Sequence, residues 1–179
     1  GGSGDFTYHL LNGATDGATS VYAADFDNDG DIDVVSASDN DDKIAWYEND
    51  GATDPSFTAR TITTGAKGVQ SVFTVDLDSD GDIDILSAEA DIDAIRWYEN
   101  DGAADPSFTL RETITPNPTK SDYAFSVYAA DVDQDGDMDV LSASAYDDNI
   151  VWYENNGSQS FTARTITSSA DGARTVSAA

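Results

Sequence analysis

The chain has 179 residues, with 35 acidic against 8 basic and a formal charge of −27. So acidic a chain is a poor partner for nucleic acid or for an anionic membrane surface. It has no cysteine, which excludes a disulfide framework, and one histidine, His9, which leaves no zinc site of the usual kind.

In chain order, residues 1–4 read as a linker and residues 6–11 as a strand. A Ser-Val-Tyr stretch at Ser20 opens a strand over residues 21–25. An acidic loop follows, then strands over 33–38, 43–48 and 57–63, joined by polar turns rich in Asp, Asn, Gly and Pro. Val, Ile, Tyr, Phe, Trp and Thr fill the strands, and turn formers fill the connections. No stretch carries sustained helical periodicity.

This pattern is then written twice more. The acidic loop recurs at Asp25, Asp76 and Asp131, with spacings of 51 and 55 residues. Trp-Tyr-Glu-Asn recurs at Trp46, Trp97 and Trp152 with the same spacings. Ser-Phe-Thr recurs at Ser56, Ser107 and Ser160, and the Ser-Val-aromatic opening at Ser20, Ser71 and Ser126. A period of roughly 50 residues with four short strands per unit predicts an all-β chain of β-propeller blades. The units cover about 18–66, 69–116 and 124–169 of a single repeat domain.

Each acidic loop reads D-x-D-x-D-G-D-x-D. The aspartates are Asp25, Asp27, Asp29, Asp31 and Asp33; Asp76, Asp78, Asp80, Asp82 and Asp84; and Asp131, Asp133, Asp135, Asp137 and Asp139. Ca²⁺ takes six to eight oxygens at about 2.3–2.6 Å. Carboxylates at loop positions one, three, five and nine can supply them, with the backbone carbonyl of position seven, and the glycine at position six permits the turn. Three bound Ca²⁺ ions are expected. An EF-hand would need a glutamate at position twelve, where this chain has Ser36, Ser87 and Ser142.

The three loops, with the Asp-Val-Val-Ser-Ala-Ser and Ile-Ala-Trp-Tyr-Glu-Asn stretches that follow, resemble the FG-GAP/VCBS repeat family of integrin-α-like propellers. The resemblance covers roughly residues 18–172. It implies Ca²⁺ in the hairpin between the first and second strands of each blade. It also implies a seven- or eight-blade ring, and an extracellular or cell-surface setting. Three units are too few for such a ring.

The ends sharpen this point. Residues 6–11 match a fourth strand, and residues 172–179 match residues 17–24, which makes 175–179 a second orphan strand. Either further blades of a longer chain or self-association of copies is expected to complete the ring or stack.

The remaining motifs read as structure. Trp46-Tyr47, Trp97-Tyr98 and Trp152-Tyr153 are expected as core between blades, with a repeated sugar-stacking platform as the alternative. Glu48, Glu99 and Glu154 are expected to hydrogen-bond locally. The second acidic cluster (Asp39 to Asp42, Asp91 and Asp93, Asp147 and Asp148) reads as solvated turns. No phosphate loop or nucleophile elbow appears. The expectation is a calcium-stabilised, non-catalytic module of an exported protein, serving adhesion, display or assembly, with a protein or glycan as its ligand. The alternatives are a lectin-like propeller and an accessory domain of a secreted polysaccharide-degrading enzyme.

Overall fold

A computed structural model describes residues 15–115 and 123–178. The expected strand at 6–11 and His9 lie outside them. Among the described residues the chain is all-β, apart from one 3-10 turn at Ala90–Ile92. The first unit contributes β1 (Ala18–Ala24), β2 (Asp33–Ser38), β3 (Lys43–Asn49) and β4 (Phe57–Thr63). The second contributes β5 (Val69–Val75), β6 (Asp84–Glu89), β7 (Ala94–Asn100) and β8 (Phe108–Thr113). The third contributes β9 (Ala124–Ala130), β10 (Asp139–Ser144), β11 (Ile150–Asn155) and β12 (Phe161–Thr167). Each unit is one antiparallel sheet with its strands in sequence order, as a propeller blade requires. No helix among the described residues is long and apolar enough to cross a membrane.

The register repeats from blade to blade. Val35 faces Trp46, Leu86 faces Trp97 and Leu141 faces Trp152 across the second and third strands. Adjacent strand residues point to opposite faces, so the Trp and the Tyr of each pair serve different interfaces. Trp46 packs with Phe26, Val35, Ala37 and Ile44 of its own blade against Val72, Ile85, Tyr98 and Phe108 of blade two. Trp97 and Leu77 occupy the same places against Val127, Val140, Tyr153 and Phe161 of blade three. Trp46, Trp97, Tyr98 and Tyr153 are thus core between blades, as expected, whereas Tyr47 and Trp152 lie outside both interface clusters. Burial on both faces explains why the second strands read as nearly unbroken apolar and small residues.

The shorter motifs also acquire jobs. Ser56 and Ser107 hydroxyls donate to Asp50 and Asp101, closing the turn between third and fourth strands. These hydrogen bonds hold the two exposed carboxyls below their ordinary pKa. Glu48 pairs with Arg60, Glu99 with Arg111 and Glu154 with Arg164, each within its own blade. The aromatics of the Ser-Val-aromatic openings form a ladder across the first strands. Tyr22 and Phe73 ring centroids lie 5.0 Å apart, and Phe73 and Tyr128 4.5 Å apart.

The second acidic cluster is more than a set of solvated turns. Asp42 pairs with Lys67 and accepts the Gly68 N–H at 3.0 Å, which fixes the connector into blade two. Asp93 accepts the Tyr123 N–H at the start of blade three. Asp148 accepts the Gly172 N–H at 2.8 Å. Beyond that last clamp no strand forms across residues 173–178. A strand needs a ladder partner, and none lies beside this segment among the described residues. The Val176 N–H donates instead to Ser126 Oγ at 3.3 Å, just as the Val72 N–H donates to Ser20 Oγ at 3.2 Å.

Candidate metal centres

Each acidic loop joins the first and second strands of its blade and is shaped by its own carboxylates. In loop one, Asp25 accepts the N–H groups of Asp29 at 3.2 Å and Gly30 at 3.0 Å. Asp76 and Asp131 do the same in loops two and three. Asp29 Oδ1 accepts the Asp31 N–H at 2.8 Å, and Asp80 and Asp135 repeat this at 2.9 and 3.0 Å. The loop glycines have φ of 95°, 99° and 101° at Gly30, Gly81 and Gly136. A Cβ at any of them would meet nothing within 4 Å, so the backbone angle alone selects glycine there.

Position nine closes the loop. Asp33 is buried and accepts the N–H groups of Phe26 at 3.2 Å and Asn49 at 2.8 Å. Asp84 accepts those of Leu77 and Asn100, and Asp139 those of Val132 and Asn155. Position seven turns its side chain away from the ring. Asp31, Asp82 and Asp137 lie against Gly51, Gly102 and Gly157 of the following turn, where a Cβ would collide with the carboxylate. Their carboxylates are thus directed at the following turn and join none of the acidic groups among the described residues.

The structure therefore brings together Asp25, Asp27 and Asp29 in loop one and Asp76, Asp78 and Asp80 in loop two. In loop three it gathers Asp131, Asp133 and Asp139. Within each group one carboxylate oxygen per residue lies within 4.8 Å of the others. Position nine of loops one and two and position five of loop three fall outside these groups.

Electrostatics mark the same places. Burial, then the carboxylates around it, raises the pKa of Asp27. Asp78 and Asp133 are raised by burial first and next by Asp80 and Asp135. Burial raises Asp33 and pushes Asp84 up to about 7. In loop two, Asp78 Oδ1 is buried without a hydrogen-bond partner. A buried oxygen of this kind calls for a cation or a proton. The donor set is entirely carboxylate and carbonyl oxygen, which suits a hard divalent ion. The three groups are thus able to hold metal, and these residues fit Ca²⁺.

Two sets of residues at these centres do work that their spacing does not announce. The apolar residue at position two, Phe26 or Leu77, is buried in the core between blades and roots its loop there. The asparagine that ends Trp-Tyr-Glu-Asn binds loop carbonyls: Asn49 donates to Ile32 O, Asn100 to Ile83 O and Asn155 to Met138 O. The recurrence of Asn in all three units was the available signal.

No curated protein matches the chain. The family described as FG-GAP-like repeat matches it three times, over residues 25–87, 76–142 and 131–179. Each of the first two matches runs from one metal loop to the second strand of the next blade, so the family's unit straddles the interface described above. With these matches spanning residues 25–179, the chain belongs to the FG-GAP-like repeat family.

Proposed function

We propose that the chain is a calcium-stabilised, non-catalytic β-propeller module of an exported protein, working in adhesion, display or assembly. The observation that carries the reading is the threefold recurrence of one oxygen-lined loop, with the buried and unpartnered Asp78 Oδ1 in the second copy. Ca²⁺ would be held by the carboxylates gathered in each loop, with the carbonyls of Asp31, Asp82 and Asp137, and would supply charge neutralisation. The loop residues themselves do the structural work. They turn the chain between strands, and through position two they brace the neighbouring blade. An exported setting suits this arrangement, because millimolar calcium outside cells suffices for exposed loops of modest affinity.

The outer faces support assembly with more of the same repeat. Val21 of blade one is 65% exposed, whereas its counterparts Val72 and Val127 are each 3% exposed. Val132 at position two of loop three is 39% exposed, against 0% for Phe26 and 1% for Leu77. Each outer face thus presents residues that its siblings bury against an adjoining blade. The fitting occupant is another FG-GAP-like blade, from further sequence or from a second copy.

Calorimetric titration should find three Ca²⁺ ions per chain. Absence of uptake, or uptake at a single loop, would refute the reading. Sedimentation of the 179-residue chain in calcium, beside a variant lacking residues 1–12, tests assembly. A strictly monomeric, equally stable protein in both cases would exclude self-association.

A further inference from the structure

Asn100 is buried, and its hydrogen bonds reach two metal loops at once. Its backbone N–H donates to Asp84 Oδ1 at 2.9 Å, and its Nδ2 donates to the Ile83 carbonyl at 3.2 Å. These are positions nine and eight of loop two. The same Nδ2 donates to the Phe26 carbonyl at 2.9 Å, which is position two of loop one on the preceding blade. Its Oδ1 accepts the Gly102 N–H at 3.1 Å, so the side-chain amide is fully used.

A second bridge lies at the surface. Asn28 Nδ2, at position four of loop one, donates to Asp82 Oδ1, at position seven of loop two, at 2.8 Å. The next junction is built differently. The Asn155 side chain donates to Met138 of its own loop, with no bond to Leu77 among the described residues, and Ser79 stands where Asn28 stands. Among the described residues no bond joins Ser79 to Asp137.

We infer that the metal sites of loops one and two fill cooperatively, through Asn100 and Asn28, while loop three fills on its own. This rests on the calcium reading above. In an empty loop the clustered carboxylates repel one another and favour a relaxed backbone. Phe26 resists that relaxation through both of its backbone polar groups. Its N–H is held by Asp33 of its own loop, and its carbonyl by Asn100. Loop one cannot loosen without leaving the buried Phe26 carbonyl or the Asn100 amide unpaired, which is costly. Loop two cannot loosen without releasing Asn100 and Asp82. Ordering either loop therefore orders the bonding partners of the other. Linkage makes the effect reciprocal, and couplings of this kind change affinity by about fivefold or more.

The test is calorimetric titration of Ca²⁺ into the chelator-treated 179-residue chain. The unaltered protein should show a paired step, its second ion bound at least about fivefold tighter than its first, and a separate single step. Asp133→Ala should abolish the single step and leave the paired one. Asn28→Ser installs the residue native at position 79, and Asn100→Ala removes the buried amide. Both should still bind three ions, with the ratio within the pair reduced toward one. Three independent sites in the unaltered chain would overturn the coupling and leave the calcium reading standing. No uptake at any loop would overturn the calcium reading itself. If Asn100→Ala does not fold, Asn28→Ser decides alone, and an undiminished ratio there overturns the bridge.

Discussion

Phe26 of loop one meets Phe108 of the neighbouring blade edge to face, with ring centroids 5.9 Å apart and planes at 79°. Trp46 completes the group at 6.3 Å from Phe26 and 6.4 Å from Phe108. A residue inside a candidate metal loop is therefore also a core residue of a blade interface. Phe26→Ala should cost about 3–5 kcal/mol, as for other fully buried aromatics, and should weaken metal uptake at loop one. Denaturant unfolding and calorimetry on the same variant check both effects. A loss of stability with unchanged uptake would separate packing from the metal.

Removal of calcium should lower stability sharply. An ion that binds only the folded state adds about 2.7 kcal/mol per site at a hundredfold excess over Kd. Melting in excess chelator should therefore fall well below melting in calcium. Asp29→Ala should remove about one site's share. Superimposable melting curves with and without chelator would contradict the proposal.

The pH dependence should change sign with the metal. Burial raises the Asp84 carboxyl to about 7 in the metal-free fold, so the folded chain keeps a proton there that the unfolded chain gives up above about 4. A raised folded pKa contributes stability that is lost as pH rises through it. Metal-free protein should thus become more stable as pH falls from about 7 toward 4.5. Asp27, Asp33, Asp78 and Asp133 act in the same direction. The calcium-loaded protein should do the reverse over this range, because protonated carboxylates release the ion. Thermal melts at pH 5 and 7.5, with calcium and with chelator, give the four values needed.

Blade two carries a buried ionic network that its siblings lack. Glu89 accepts hydrogen bonds from Ser87 and Tyr98 hydroxyls, each at 3.0 Å, and pairs with Arg96 at 3.1 Å. Burial raises the Glu89 pKa against the opposing pull of Arg96. Glu89→Ala should cost about 3–5 kcal/mol by stranding Arg96. The pair Glu89→Ser with Arg96→Ala copies Ser38 and Ala45 of blade one, and should recover most of that loss. A double variant as unstable as Glu89→Ala would show that the network is needed as such.

Repetition made much of this molecule legible. β2 and β4 run over the spans expected for them, because an acidic turn bounds one and the Asp-Pro turn precedes the other. The acidic loops between first and second strands could be read from five aspartates and a glycine. The glycine takes the positive φ that its turn requires. The bridge from Asn100 to Phe26 could not be read, because it joins residues 74 apart and depends on how two sheets stack. The roles of Asp42, Asp93 and Asp148 were hidden for a similar reason. An aspartate in an acidic turn looks solvated until the backbone that it clamps is known. Residues 173–178 carry no strand, because sequence likeness to β1 supplies side chains but no ladder partner among the described residues.

Among the described residues every ladder joins strands that are consecutive in the chain. A sheet of that kind needs only short loop closures, which favours fast and local formation. During synthesis a blade can therefore zip up as soon as its fourth strand emerges. Its metal loop cannot be finished so early. Phe26 awaits Phe108, and its carbonyl awaits Asn100, both of them made more than seventy residues later. Blades one and two are in this sense completed by their successors, so that maturation of each follows one unit behind synthesis.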